Sequence, residues 1–401
     1  MKSALSWRNL AFLVASLGGM GLALSTAISM AGFLAFSLIQ NDMESAGFSA
    51  WTSASSMGVA IALLPGTFWA FQSVFGRPES PPRSYPSRWM LIALLLPLGL
   101  GIGHVAFQSG GRVGSIVIGP AAHVLTALTA AATVVALALR RGPALSANRA
   151  TVSFTVGLTA IPFMAIMLEA LVLIPALVIG AAALISTPEG IGLVRSLVAL
   201  GPDPGALSPE LLTPWLQQPL VIATVFAFTA GVVPAVEELV KTAAVWTSLR
   251  RGLPAGQAFL TGVLAGAGYG LFEALFLSQP GAEWSITAVG RVGAAFMHAA
   301  TAGITSWGLM EWARERRWTR ALAAYGVAVL GHALWNLAAL SAGYEALLRE
   351  TGPAGTQGEA MSFLSVGSVV VLVALSLAAV ALIARRDRSG AEPSGGLPQS
   401  L

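Results

Sequence analysis

About ten stretches of this chain are apolar for roughly 20 residues or more, the length an α-helix needs to cross a hydrocarbon layer of about 30 Å. They cover residues 10–38, 57–76, 89–108, 114–139, 152–186, 219–249, 255–278, 287–312, 320–342 and 361–384. The spacing predicts an all-α, polytopic integral membrane bundle of about ten transmembrane helices. Composition agrees, because 55% of the 401 residues are hydrophobic and 10% charged, against about 25% charged in an ordinary soluble domain.

The placement of charge sets the expected topology. The 22 Lys and Arg outnumber the 18 Asp and Glu, but they lie between the apolar runs rather than on one basic stripe. No nucleic-acid partner is therefore expected, and the bilayer itself is the first partner. With the N-terminus inside, only Arg112, Arg195, Arg291 and Arg349 fall on the outer side and Lys241 lies within a run. All other cations are then cytoplasmic, which puts both termini in the cytoplasm by the positive-inside rule. The first apolar run is longer than the 7–15 residues of a signal-peptide core and reads as a retained helix. There is no cysteine, which excludes disulfides, thiol nucleophiles and thiolate-held metals.

Four regions follow from the runs and breaks: an accessory bundle of about five helices over 1–186, an outer loop over 187–218, four helices over 219–342, and an outer loop, last helix and cytoplasmic tail over 343–401. Pro202, Pro204, Pro209 and Pro214 mark the first loop, which has room for a short interfacial helix. His104 and His123 in the first region read as packing residues that hydrogen-bond between helices. Glu169 is an intramembrane carboxylate without an accompanying motif. The absence of an internal repeat argues against an inverted-repeat transporter, and the glycine-rich helices are compatible with a dimer without requiring one.

Ionisable groups concentrate in the 219–342 region. Glu237, Glu238 and Lys241 lie inside one apolar run, where each charge costs roughly 2.5–3.5 kcal/mol on insertion scales and persists mainly where groups pair or act. Lys241 is three and four residues from the two carboxylates and can meet either on one helix face. Adjacent positions point about 100° apart, so the two Glu should have different tasks. Pro234, just upstream, removes a backbone donor and can kink the helix, freeing a carbonyl next to the charges. The next run holds GAGYGLFEALF, with glycines 266, 268 and 270 permitting close helix approach and Glu273 one turn after Tyr269. The run after that places Arg291 two turns before His298. The ninth places His332 and Asn336 four apart on one face.

In this order, EExxK, a glycine-rich segment ending in Glu, RxxxxxxH and HxxWN resemble the PrsW family of intramembrane proteases, related to the CAAX-processing and bacteriocin-processing membrane proteases. The motifs run from about Gly231 to Leu340. Two positions depart from the family pattern: Tyr269 stands where Phe is usual and Ala274 where Asn is usual. The resemblance makes 219–342 a protease core in what would be a bacterial cell membrane. Its implied activity is endopeptidase cleavage of a membrane-anchored protein substrate, possible in a regulatory cascade. It implies catalytic roles for Glu237, Glu238, Glu273, His298 and His332, with Lys241, Arg291 and Asn336 in support.

Peptide hydrolysis needs a base for water, a donor for the developing oxyanion and an acid for the leaving amine. In the glutamic-type chemistry implied by the relatives, Glu237 takes the water proton, Glu238 pairs with Lys241, and His332 with Asn336 stabilises the oxyanion. Glu273 and His298 hold or protonate the reacting groups. That reading, with no cofactor, is favoured. Zinc is the alternative, with Glu238, Glu273, His298 and His332 as ligands, since imidazole and carboxylate are its usual donors in catalytic sites; there is no HExxH motif. Two other classes use similar residues: a proton- or cation-coupled transporter, and a non-catalytic membrane scaffold. By helical rise Glu237 lies about 19 Å from Arg250, placing the chemistry at the midplane or in the outer half.

Overall fold

The computed structural model describes residues 7–76, 81–82, 84–187, 191–192, 195, 219–249, 252–351 and 356–389. Among these, every regular element is helical: α1 (Trp7–Ile39), α2 (Met43–Val74), a 3-10 segment (Ser87–Leu94) leading into α3 (Leu95–Gln108), and a π turn (Gly114–Ile118) leading into α4 (Gly119–Arg141). There follow α5 (Ala147–Leu158), α6 (Ala160–Leu184), α7 (Pro219–Ala227), a second π turn (Phe228–Val232), α8 (Val233–Val240) and the short α9 (Ala243–Trp246). The remainder is α10 (Ala255–Phe276), α11 (Trp284–Glu315), α12 (Trp318–Thr351) and α13 (Thr356–Ser389). The outer loop expected over 187–218 falls almost wholly outside the described residues, as does the tail from 390.

Nine helical stretches among the described residues are long and apolar enough to cross a membrane. They match nine of the ten predicted runs. The exception is the run at 287–312, which lies within the 32-residue α11. This helix is long enough to span but carries Arg291, His298, Glu311 and several buried hydroxyls. Eighteen of its 32 residues are buried within the protein, His298 and Glu311 among them, so these polar side chains meet protein partners.

Helix starts follow local chemistry. Asp42 caps α2 by accepting from the Ser45 amide at 3.1 Å, and the hydrogen bonds from Ser45 hold its carboxyl below the usual carboxylate range. Ser146 caps α5 through the Arg149 amide, which satisfies one of the orphan donors at a helix N-terminus.

The chain divides into two compact units. The first comprises residues 1–162, 238–328 and 370–401; the second comprises 163–237 and 329–369. At the centre of the first unit is α10, buried along most of its length. Phe259, Leu260 and Leu264 of α10 pack with Val134 and Leu139 of α4, Phe296 of α11, and Val380 and Ala384 of α13. Helices in lipid gain little from burying apolar surface against each other, so close contact through small residues carries association. A Cβ added at Gly266 would lie 2.2 Å from the His298 carbonyl oxygen, and one at Gly268 would lie 2.3 Å from that of Phe154. The GAGYG run thus lets α10 press against α11 on one side and α5 on the other.

His123 is a packing residue. It stacks on Trp51 with ring centroids 3.7 Å apart, accepts from Trp284 Nε1 at 3.4 Å and donates from Nε2 to the Leu275 carbonyl at 3.2 Å. His104 pairs with the Ser285 hydroxyl.

In the second unit the kink expected at Pro234 takes the form of the π turn at Phe228–Val232. Proline has no N–H to return to the carbonyl four residues back, and the turn widens ahead of it. Asn336 Nδ2 of α12 donates to the Thr229 carbonyl at 2.8 Å, and Phe226 meets Tyr344 edge to face.

Candidate active site

Helix α8 presents Glu237 and Glu238 in succession and ends immediately before Lys241. Lys241 and Thr242 form a turn before α9. The Thr242 hydroxyl donates to the Leu239 carbonyl at 2.6 Å and accepts from Trp246 Nε1 at 2.9 Å. This pins the break and directs the Lys241 side chain.

In the first unit five ionisable side chains form one hydrogen-bonded chain. Lys241 Nζ donates to Glu238 Oε1 at 2.8 Å and lies 2.7 Å from His298 Nδ1. An ammonium only donates, so Nδ1 is the acceptor and the ring proton sits on Nε2. That proton is donated to Glu273 Oε2 at 2.7 Å. Arg291 Nη1 closes the series on the same Glu273 oxygen at 3.4 Å. Glu238 and Lys241 are 0% exposed, whereas the Arg291 and Glu273 side chains are 33% and 12% exposed. The order of charge is therefore anion, cation, neutral imidazole, anion, cation, running from the dry end to the wetter one. Alternation matters because an uncompensated buried ion carries a penalty of several kcal/mol.

Two further side chains fix the dry end. The Thr301 hydroxyl lies 3.0 Å from Glu238 Oε1. The Tyr269 ring lies under the ammonium, 4.6 Å from Nζ to its centre, and meets His298 edge-on. Cation–π contact of this kind is worth about 2 kcal/mol when desolvated. Sequence reasoning assigned neither residue a role. Their spacing carries a faint signal, since Thr301 is three residues after His298 and Tyr269 four before Glu273, each on the same helix face.

In the second unit Glu237 and His332 face each other, 3% and 2% exposed. Glu237 Oε2 and His332 Nε2 are 3.9 Å apart, beyond hydrogen-bond distance. Asn336 shares a face of α12 with His332, but its amide nitrogen is given to Thr229. In the structure Asn336 holds the π turn, where the sequence reading made it an oxyanion donor. The two adjacent carboxylates thus have separate partners: Glu238 pairs with Lys241, and Glu237 faces His332.

The donor chemistry suits a metal ion. Zinc binds imidazole nitrogen and carboxylate oxygen at about 2.0–2.2 Å, so two donors 3.9 Å apart can both reach one ion. Glu238 Oε1 and Glu273 Oε2, proposed as ligand atoms on sequence grounds, are already engaged by Lys241 with Thr301 and by His298 with Arg291. His298 has a partner at each ring nitrogen.

A family model described as PrsW family intramembrane metalloprotease matches residues 150–378, a wider stretch than the motif-bearing 231–340. It takes in α5 and α6 before the motifs and part of α13 after them. No match was found among curated proteins or among solved structures.

Proposed function

This chain belongs to the PrsW family of intramembrane proteases, and from that premise we propose that Glu237 and His332 perform the hydrolysis of a membrane-anchored protein, while the chain of Glu238, Lys241, His298, Glu273 and Arg291 fixes the end of α8 that follows Glu237. The observation that carries the reading is the buried Glu237–His332 pair, a carboxylate and an imidazole with donor atoms 3.9 Å apart.

The residue roles follow from peptide-bond chemistry. Glu237 accepts the proton of the attacking water at a carboxylate oxygen, and His332 supports the oxyanion as the water oxygen adds to the scissile carbon. The C–N bond then breaks, and the amine leaves with the proton that Glu237 took from the water. Lys241 and Thr301 hold Glu238 in place, and Lys241 holds His298 in the required tautomer. A zinc-like ion, if held by Glu237 and His332, would supply Lewis-acid activation of water near neutral pH. The family description and the Glu237–His332 spacing move the preference from metal-free carboxylate chemistry to this metal-assisted form. Residues 219–342 serve as the catalytic core and the helices before 186 as its scaffold, and cleavage falls at the midplane or outer half of the bilayer.

The test uses purified full-length protein, a panel of single-pass substrates, and metal analysis. Glu237→Gln and His332→Ala each lower cleavage by at least about 100-fold, with normal elution and thermal unfolding, and each reduces bound metal below one ion per chain. Near-normal cleavage by either variant removes that residue from the mechanism. Full activity after chelation to metal-free protein removes the ion and returns the chemistry to the carboxylates alone.

A further inference from the structure

Away from these residues, the first unit contains a cavity of about 490 Å³ lined by α2, the 3-10 segment, α4, α5 and α10. Its walls are almost wholly apolar, with Ala132, Val135 and Phe154 along its length and three aromatic side chains, Trp69, Tyr85 and Trp89, among its lining. A second cavity of about 360 Å³ shares Trp89, Ile92, Ala132 and Val135 with it and adds Arg88. Along α4 the lining runs from Leu128 to Leu139, a distance of about 16 Å at 1.5 Å per residue. The next two residues are Arg140 and Arg141, which end the helix.

We propose that this cavity is a binding site for one acyl chain of an anionic glycerophospholipid, with the headgroup held at the basic end by Arg88 and the close of α4. Three observations combine. The slot is long, narrow and apolar, as a hydrocarbon chain requires. Its size excludes a transmembrane helix of a protein partner, which at 10–12 Å across and 30 Å long occupies on the order of 2000 Å³. Arg88 lines the adjoining cavity and Arg140 and Arg141 follow the last lining residue of α4, and Tyr85 and Trp89 of the lining pack edge to face with centroids 4.9 Å apart. Interfacial aromatics mark headgroup level, and basic pockets between helices on the cytoplasmic side recognise anionic headgroups. The site is independent of the catalytic assignment.

The experiment is native mass spectrometry of the full chain after reconstitution with equal amounts of phosphatidylglycerol and phosphatidylcholine. The wild type retains one phospholipid with the anionic species preferred. Ala132→Phe, which fills the slot where the two cavities meet, loses that lipid while keeping its elution and unfolding midpoint. Arg88→Gln keeps a lipid but lowers the anionic preference about fivefold. Unchanged retention by folded Ala132→Phe, unchanged preference in Arg88→Gln, or displacement of the lipid by a single-pass substrate peptide each overturns the assignment. Should Ala132→Phe fail to fold, quenching by phosphatidylglycerol brominated along its chain replaces it. Combined Trp69→Phe and Trp89→Phe removes most of the saturable quenching if the chain lies in the cavity, and leaves it unchanged if it does not.

Discussion

Lys241 is fully buried and donates to both Glu238 and His298, so its removal leaves a carboxylate without its counter-charge. Deleting one partner of a buried ion pair costs about 3–5 kcal/mol, whereas replacing both by neutral groups of similar shape is often close to neutral. Lys241→Met should therefore lower the unfolding midpoint sharply, and Lys241→Met with Glu238→Gln should recover much of the loss. A double-mutant cycle by thermal unfolding in detergent measures this. A double variant no more stable than Lys241→Met would mean that the pair is not what stabilises the turn. The same side chains explain how consecutive Glu residues acquire different tasks: 100° of helical rotation is enough to give each its own partner.

The glycines of α10 act at the level of the element. At Gly266 an added Cβ meets the His298 carbonyl at 2.2 Å, while at Gly101 of α3 it meets nothing within 4 Å. Gly266→Ala forces α11 away at the turn that carries His298. Overpacking of that kind costs about 1–3 kcal/mol, and because His298 is held by bonds of 2.7 Å, cleavage should fall with stability. Gly101→Ala should leave both unchanged, or gain slightly from a better helix residue. Unfolding midpoints and cleavage rates of the two variants give the comparison, and equal behaviour would show that close approach of α10 to α11 is not limiting. The second π turn is a related device. Pro234 prevents regular bonding and Asn336 occupies a neighbouring carbonyl, so the backbone just before Glu237 is shaped by a side chain from α12.

For the whole molecule, charge asymmetry makes a prediction that needs no side-chain geometry. Both termini should be cytoplasmic, so a C-terminal fluorescent protein should be bright and a C-terminal alkaline phosphatase inactive, with the reverse for fusions between α12 and α13. An active C-terminal phosphatase would invert the orientation and with it the side of the membrane expected for cleavage. The family match separates this chain from the transporter and scaffold readings that its buried Glu and His also permitted. It covers 150–378, beyond the motifs themselves, as the packing of α5 on α10 through Gly268 requires.

Helix number and position were legible because a lipid-spanning segment must be apolar for about 20 residues, a constraint each segment meets alone. The exception was α11, which buries His298, Glu311 and several hydroxyls inside the protein. The identities of Glu237, Glu238, Lys241, Glu273, His298 and His332 were legible too, since charge at membrane depth is costly wherever it occurs. Which atom meets which was a tertiary decision. Lys241 reaches His298 across 57 residues and Asn336 reaches Thr229 across 107, separations on which helical periodicity is silent. Periodicity fixes the face a residue shares with its own helix neighbours; only the packing of one helix on another selects the partner across the gap.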